Sequence, residues 1–249
     1  MKVFPIVQNQ YQPKFKSNSR WVYDKYGKEL YKTTTYYFRD DLDWENLIKF
    51  LCNKYKDAPK INFINHACSN GMEPISFVIS LFLFAPEQIK KFTPIIARDI
   101  NHENILMAKK GECGASSEDF LRVHKMTNGK YRDFFDLKRN EKQDSLFTLS
   151  PKKIITDNII FEQSDIFKDI DNIPSDNTFL CCRNFWAYLP FEKREELGYR
   201  LGQKLHSSST VLIGYHDIIE GRADLHLKLN GFKRCPTGTP YVNLLYSKD

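Results

Sequence analysis

The chain has 249 residues, of which 41% are hydrophobic and 14% aromatic, so it is long and apolar enough for one large domain and is not a disordered chain. The formal net charge of +6 favours an anionic partner, either an acidic protein surface or nucleic acid, although a solvated surface without a steering role fits equally well. No apolar stretch reaches membrane-spanning length and the N-terminus lacks a signal-peptide core, so we expect a cytoplasmic protein without membrane insertion. The six cysteines show no C-x-x-C spacing, which favours buried free thiols over disulfides or zinc.

The N-terminal part of the chain has no regular period. Residues 1–32 mix polar and aromatic side chains and predict an irregular arm, followed by one domain over residues 33–249. After a Thr-rich string at 33–40, apolar residues recur from Trp44 to Tyr55 with the spacing of one helix face, and Asp43 is placed to cap that helix.

The stretch 61–76 predicts a strand, a tight turn and a helix. Its apolar strand runs into the small residues of the turn, and Pro74 then falls in the first helical turn, where its missing N–H costs nothing. We expect Gly71 to let the backbone approach a ligand that a Cβ would exclude, although any βα unit can carry such a turn.

Further strands and helices alternate along the rest of the chain. The predicted strands cover 94–97, 159–161, 178–182, 210–215 and 241–246, with helices near 102–110 and 191–206, while 112–150 is the least regular part. This alternation predicts an α/β fold around an open, mostly parallel sheet. A ligand of such a sheet lies beyond the carboxyl ends of the strands, which places the candidate site in the turns 67–73, 98–101, 164–166 and 182–188.

Carboxylates follow two of these strands. Asp99 stands where nucleotide-binding folds place a carboxylate for the ribose hydroxyls, although it is equally open to the role of a helix cap. Asp165 and Ile166 offer one polar and one apolar partner for an adenine ring, and the alternative is a solvent-facing turn.

Three longer strings of residues point to one protein family more specifically than these single positions do. They read A-C-S-x-G-x-E-P-x-S from Ala67, C-R-N-x-x-x-Y from Cys182, and T-Y-Y-F-R from Thr35. Together with Asp99 and Asp165, in the same order, they resemble the CheR-type methyltransferases that use S-adenosylmethionine (SAM) to methylate glutamates of bacterial chemotaxis receptors. The resemblance covers about residues 33–246.

The resemblance implies a Rossmann-like methyltransferase sheet, mostly parallel with an antiparallel C-terminal strand and helices on both faces. It implies SAM as cofactor, S-adenosylhomocysteine as product, and an acidic protein substrate such as a chemoreceptor helix. The cofactor residues that it implies are Thr33, Thr35, Ala67, Ser69, Gly71, Glu73, Asp99, Ile100, Asp165, Ile166, Arg183 and Asn184. Arg39 and Tyr188 would orient the acceptor carboxylate.

The residue content suits this chemistry. A glutamate side chain is already ionised at neutral pH and needs no general base, while an arginine fork matches a carboxylate. The six histidines are isolated in the sequence and show neither metal-ligand nor catalytic-triad spacing.

Departures from the family pattern leave rival functions open. The helical N-terminal domain of the family is replaced by the short arm, Met72 replaces an acidic residue, and the antiparallel β insertion at about 125–155 is predicted to be reduced. One rival is a SAM-binding module that has lost catalysis or acts on a different acceptor. Another, a nucleic-acid methyltransferase, would typically carry an Asn/Asp-Pro-Pro-aromatic string, where this chain reads Arg183-Asn184-Phe185-Trp186.

Overall fold

The computed structural model describes residues 19–23, 29–111, 113–139, 146–236 and 244–248. The strands are β1 (Ser19–Tyr23), β2 (Glu29–Thr34), β3 (Asn62–His66), β4 (Ile95–Asp99), β5 (Cys113–Ser116), β6 (Phe135–Arg139), β7 (Leu146–Pro151), β8 (Ile159–Gln163), β9 (Thr178–Cys182), β10 (Thr210–Leu212), β11 (Lys233–Arg234) and β12 (Leu245–Ser247). The helices are α1 (Trp44–Lys54), α2 (Met72–Phe84), α3 (Ile89–Phe92), α4 (His102–Lys110), α5 (Ser117–Met126), α6 (Lys153–Thr156), α7 (Ile166–Asp169), α8 (Phe191–Lys204), α9 (Tyr215–Ile219) and α10 (Ala223–Leu229).

A seven-stranded sheet forms the centre of the molecule, in the order β11-β12-β10-β9-β3-β4-β8. Strands β10, β9, β3, β4 and β8 are parallel, whereas β12 and β11 run antiparallel at one edge. From β3 the chain moves outward to β4 and β8, then returns to β9 on the other side of β3. The strand order therefore reverses between β3 and β9, and the predicted α/β class with its antiparallel C-terminal strand is confirmed.

The two faces of this sheet carry separate hydrophobic cores, because successive side chains of a strand point to opposite faces. Phe63 and Phe179 belong to the core that also contains apolar residues of α1 and α2. Ile64 and Leu180, one residue further along the same strands, belong to the core that contains apolar residues of α8 and α10. Helices thus cover both faces.

The two N-terminal strands correct the prediction of an irregular arm. Strands β1 and β2 pair antiparallel, and their register shifts between Val22 and Tyr23. The residues on both sides of that shift are β-prone, but pairing between two short segments leaves no periodic signal in the sequence. Residues 1–18 and 24–28 of the predicted arm lie outside the described residues.

A small inserted unit, residues 113–151, stands between α4 and α6. Its strands form a second antiparallel sheet in the order β5-β7-β6, and α5 follows β5. The sequence predicts little regular structure here and places a reduced insertion at about 125–155, so both the regularity and the boundaries need correction. The strands are short, and β5 pairs with a strand about thirty residues later, which sequence periodicity cannot reveal.

The caps and ends of individual helices and strands agree with the sequence-based predictions in part. Asp43 does cap α1, since its carboxylate accepts a hydrogen bond from the Asn46 N–H at 3.1 Å. Strand β10 is shorter than predicted, because the chain turns after Leu212 and α9 begins at Tyr215. The predicted strand 241–246 is found only as β12, and 241–243 lie outside the described residues. Within the part of the chain that is described, no helix combines the length and apolarity needed to cross a bilayer.

Candidate active site

A pocket of about 360 Å³ lies at the carboxyl ends of β8, β4, β3 and β9, and its volume falls within the range of small-molecule sites. Adjacent strands are about 4.8 Å apart, so the turns after β8 and β9 are separated by roughly 14 Å. A second wall comes from residues 35–41, which we call the strap. The lining residues are Thr35, Arg39, His66, Ala67, Ser69, Glu73, Asp99, Ile100, Ser164, Asp165, Ile166, Phe167, Arg183, Asn184, Phe185, Tyr188, Leu189 and Lys193.

The structure brings nearly all of the predicted site residues to this one pocket. Those that line it are Thr35, Arg39, Ala67, Ser69, Glu73, Asp99, Ile100, Asp165, Ile166, Arg183, Asn184 and Tyr188. Gly71 is not among the lining residues, and the side chain of Thr33, at the end of β2, lies outside the described part.

Gly71 has a conformational and a packing role in the turn before α2. Its φ of +93° is in the left-handed region, directly before α2. A Cβ on this residue would lie 2.9 Å from the ring of Phe161 and 3.3 Å from Cβ of Ala108. Gly71 is therefore required by backbone conformation and by packing against β8 and α4.

The turn before α2 is strained at the pocket itself. Ala67 and Ser69 also have positive φ values, 59° and 52°, and left-handed backbone is unfavourable for residues with a Cβ. The Ser69 N–H donates to Oδ2 of Asp99 at 2.8 Å, so the strained turn is held from the neighbouring strand. Such strain persists where the surroundings over-determine it, typically at functional sites.

Asp99 is a buried carboxylate with most of its hydrogen-bonding capacity in use. Its Oδ1 accepts from the Asn101 N–H at 2.8 Å and from the Asn104 amide at 3.3 Å, in addition to the Ser69 contact. Burial raises the pKa of this carboxyl group. A carboxylate has about four acceptor positions, so Asp99 retains capacity for a ligand hydroxyl. Asn101, and not Asp99, caps α4.

Asp165 has two functions at the third strand end. Its side chain caps α7 by accepting a hydrogen bond from the Phe167 N–H at 3.0 Å, and the residue also lines the pocket. The predicted alternatives of turn residue and ligand contact are therefore compatible. Ile100, with 57% of its surface exposed, and the buried Ile166 supply apolar surface nearby.

A buried ion cluster joins the two walls. The Arg183 side chain is fully buried; it forms an ion pair with Glu73 through Nη1, and its Nη2 lies 2.5 Å from Oδ1 of Asp41. Burial alone would lower the pKa of Arg183, but the two carboxylates outweigh it and the pKa is raised. Arg183 Nε, also buried, has no hydrogen-bond partner among the described residues, so it is a donor that a ligand can satisfy.

Arg39 and Tyr188 reach the same pocket from distant parts of the chain. Burial and the neighbouring Arg183 lower the pKa of Arg39, but a guanidinium remains charged at neutral pH. The pKa of Tyr188 is raised by burial and then by Asp217, so its phenol stays protonated. The pocket thus offers a cation and a neutral hydroxyl donor.

Sequence reasoning missed Asp217, which shapes the loop after β9. Its buried carboxylate accepts hydrogen bonds from the N–H groups of Asn184 at 2.5 Å, Trp186 at 2.9 Å and Gly214 at 2.8 Å. Burial raises its pKa to about 6. Asn184, held in this way, has a φ of +61°. Asp217 lies 33 positions after Asn184 and 31 after Trp186, and no local pattern marks it as their partner.

The histidines are not all isolated in space, which corrects the sequence-based view. His66, at the end of β3, lines the pocket and its Nε2 lies 3.0 Å from Oδ2 of Asp169, which also pairs with Arg98. Burial lowers the pKa of His66, so the ring is neutral and donates to Asp169. The two residues are 103 positions apart, too far for a spacing argument. Among the described residues, no group of three or more side chains is arranged to hold a metal ion.

The reversal of strand order beside a pocket, with a buried carboxylate at the end of β4, is typical of α/β proteins that bind a nucleoside-containing cofactor. The particular family follows from the sequence match. The family model "CheR methyltransferase, SAM binding domain" matches residues 33–233, about four fifths of the chain. The chain therefore belongs to the CheR methyltransferase family, and it is a SAM-dependent methyltransferase.

Solved structures add only distant likenesses. Magnesium protoporphyrin IX methyltransferase from Synechocystis PCC 6803 with bound SAH is 10% identical, with 84% of this chain and 83% of that chain covered and a TM-score of 0.42. A TehB-like SAM-dependent methyltransferase from Corynebacterium glutamicum is 11% identical, with coverages of 83% and 94% and a TM-score of 0.39. These scores are too low to bear on substrate or mechanism. Among curated protein sequences, none matches this chain.

The pocket residues fit SAM. Asp99 retains acceptor capacity for a ribose hydroxyl, and the buried, unpaired Nε–H of Arg183 suits a ligand carboxylate. Ile100 and Ile166 offer the apolar surface that a purine ring needs. A SAM molecule carries all three of these groups, and the lining extends across four strand ends.

Proposed function

We propose that this protein transfers the methyl group of SAM to a protein carboxylate, forming a glutamate methyl ester and S-adenosylhomocysteine. The observation that carries the proposal is that Arg39 and Tyr188 line the same pocket as the cofactor residues. When bound, SAM supplies a methyl group activated by a sulfonium centre. The chain's own residues have to orient an acceptor oxygen toward that methyl group.

A carboxylate acceptor matches the electrostatics of the pocket. Arg39 presents a charged fork that can hold both oxygens of a carboxylate, and the protonated phenol of Tyr188 can donate a further hydrogen bond. No proton has to be removed from an ionised glutamate. His66 is the one histidine among the described residues that line the pocket, and its Nε2 is already committed to Asp169.

The remaining site roles are part of the same proposal. Asp99 binds the ribose, Asp165 and Ile166 flank the adenine, and Ile100 adds apolar surface beside the purine ring. The methionine side is bound by Thr33, Thr35, Ala67, Ser69, Gly71, Glu73, Arg183 and Asn184, with Gly71 acting through the backbone of the turn. One catalytic domain over residues 33–249 follows the arm 1–32, and the partner is an acidic protein surface such as a chemoreceptor-like helix, for which the net charge of +6 is favourable.

A methyl-transfer assay tests this function. The protein is incubated with methyl-labelled SAM and acidic protein acceptors, and the labelled product is treated with mild alkali. A carboxyl ester is hydrolysed and releases methanol, whereas methyl groups on nitrogen stay bound. We expect alkali-labile label on protein; alkali-stable label on nucleic acid would replace the proposal with the nucleic-acid rival.

The same samples also test the alternative that the protein is a SAM-binding module without catalytic activity. Calorimetry with S-adenosylhomocysteine measures binding independently of turnover. Tight binding together with no label on any acceptor, including acidic proteins from a whole-cell extract, would favour the binding module.

A further inference from the structure

The strap has little regular structure of its own. Residues 35–41 contain turns but no helix or strand, and Phe38 has a φ of +46°, which is strained for an aromatic residue. The Phe38 N–H donates to Oγ of Ser76 at 3.0 Å, which ties the strap to α2. The position of Arg39 therefore depends on what surrounds the strap.

The inserted unit supplies one side of those surroundings. The Asp119 carboxylate of α5 accepts a hydrogen bond from the Tyr37 backbone N–H. The Tyr37 ring contacts Phe135 of β6 edge-to-face, with centroids 5.3 Å apart. Asp119 and Tyr37 are both buried, so this contact is a packed junction between the unit and the strap.

A second set of contacts connects the inserted unit with Arg39 through the Tyr36 ring. The Nε of Arg122, on α5, donates to Oδ2 of Asp40 at 3.2 Å, and its guanidinium lies 5.1 Å from the centroid of the Tyr36 ring. The Arg39 guanidinium lies 5.2 Å from the same centroid. One aromatic ring thus attracts two cations within the distance at which cation–π contacts form.

We propose that Arg122 and Tyr36 are positioning residues for Arg39, so that the inserted unit takes part in the methyl-transfer site through the strap. The inference rests on the proposed role of Arg39. Arg122 itself does not line the pocket, and it acts by holding Asp40 and the Tyr36 ring. A displacement of Arg39 by about 1 Å would lower the rate on the order of a hundredfold, because transfer depends on the orientation of the acceptor.

Kinetics of full-length variants test the inference. In Arg122→Ala we expect kcat to fall about tenfold or more, while the Kd of S-adenosylhomocysteine changes by less than about twofold. Arg122→Lys should recover little, because an ammonium group lacks the planar face and the fork. Arg132→Ala is the matched control: Arg132 stacks on Tyr131 in the same unit at 5.6 Å, away from the strap, and we expect less than about a twofold change.

A measurement without turnover separates this inference from the proposed function. Phenylglyoxal modification of arginine, followed by mass spectrometry, reports how accessible Arg39 is in the folded protein. In Arg122→Ala and Tyr36→Leu we expect modification of Arg39 to accelerate severalfold while the buried Arg183 stays protected. Unchanged accessibility of Arg39 in both variants, or a loss of S-adenosylhomocysteine binding that parallels the loss of kcat, would overturn the inference. If the wild type transfers no methyl group but the accessibility changes as expected, only the proposed function fails.

Discussion

The two walls of the pocket are held together in different ways. At the wall formed by the strand ends, the sheet wall, Asp99 is the last residue of β4 and Asp165 lies two residues after β8. Each carboxylate accepts a hydrogen bond from the backbone N–H of the residue two positions later in the chain. At the strap wall, the main contacts join residues far apart: Arg183 with Asp41 across 142 positions and Arg122 with Asp40 across 82. The contacts of the sheet wall are therefore largely local in sequence, whereas the contacts of the strap wall form only when distant parts of the chain have folded together.

From this difference we expect the two walls to have different functions. The sheet wall contains the residues proposed for the nucleoside, and its geometry follows from strand ends that any sheet of this order would align. The strap wall contains Arg39, whose position depends on charges and rings from several elements. We therefore expect substitutions at the sheet wall to affect cofactor affinity, and substitutions at the strap wall to affect turnover or stability.

The largest expected effect comes from breaking the ion cluster. Arg183→Met leaves Glu73 and Asp41 without their shared cation, and an uncompensated buried charge typically costs about 3–5 kcal/mol of unfolding free energy. Urea denaturation measures this loss. As a control, Lys49→Ala removes a pair in which both side chains are more than half exposed, and its cost should stay below about 1 kcal/mol. Similar values for the two variants would contradict the description of Arg183, Glu73 and Asp41 as a buried ion cluster.

Removing the proposed catalytic cation should separate turnover from binding. Arg39→Ala removes a charge-assisted contact worth about 1.5–3 kcal/mol, so kcat should fall roughly 10- to 150-fold. S-adenosylhomocysteine affinity should change only a few-fold, because Arg39 is proposed to contact the acceptor. Arg39→Lys should fail nearly as badly.

Tyr188→Phe is the milder matched variant, since it removes one hydroxyl and keeps the ring. Labelled methyl transfer and calorimetry on the same preparations measure both quantities. Full activity in Arg39→Ala would remove the main reason for proposing a carboxylate acceptor.

At the sheet wall we expect the opposite of the Arg39 result, namely that a substitution lowers cofactor affinity. Asp99→Ala should weaken S-adenosylhomocysteine binding by about 1–3 kcal/mol, because ligand hydroxyls and the Ser69 N–H lose their acceptor. Calorimetry measures the change, with Asp133→Ala, an exposed position in the inserted unit, as control. An Asp99→Ala protein that binds as tightly as the wild type would place the ribose site elsewhere.

The smallest expected effect is a pH dependence from His66. Because burial holds its folded pKa below the unfolded value of about 6.5, protonation favours the unfolded chain. The contribution of His66 is fully present above about pH 6.5 and is lost as the pH falls toward its lowered folded pKa.

Urea denaturation across this pH range should show the free energy of unfolding falling with pH more steeply in the wild type than in His66→Gln. Asn53→Gln, at an exposed position and without a titratable group, is the control and should behave as the wild type does. Parallel curves for wild type and His66→Gln would show that the histidine titrates alike in both states.

The sequence by itself determined the sheet wall. Buried strands leave short apolar runs, and the residues that follow each run are brought to one edge because parallel strands align their carboxyl ends. The motif strings added Arg39, Arg183 and Tyr188 through the family resemblance, and the structure places all three at the pocket. Helix α1 and its Asp43 cap were also predictable, because amphipathic period and capping are local properties.

Only the tertiary structure decided the rest. Asp217, His66 with Asp169, and Arg122 with Tyr36 act through partners that lie on other elements or far along the chain, and separation in sequence carries no information about such contacts. The inserted sheet and the β1–β2 pair were missed for the same reason, since strand pairing is a property of two segments. The packing role of Gly71 was also visible only in the fold: its φ value and the neighbouring Phe161 ring exclude a side chain there.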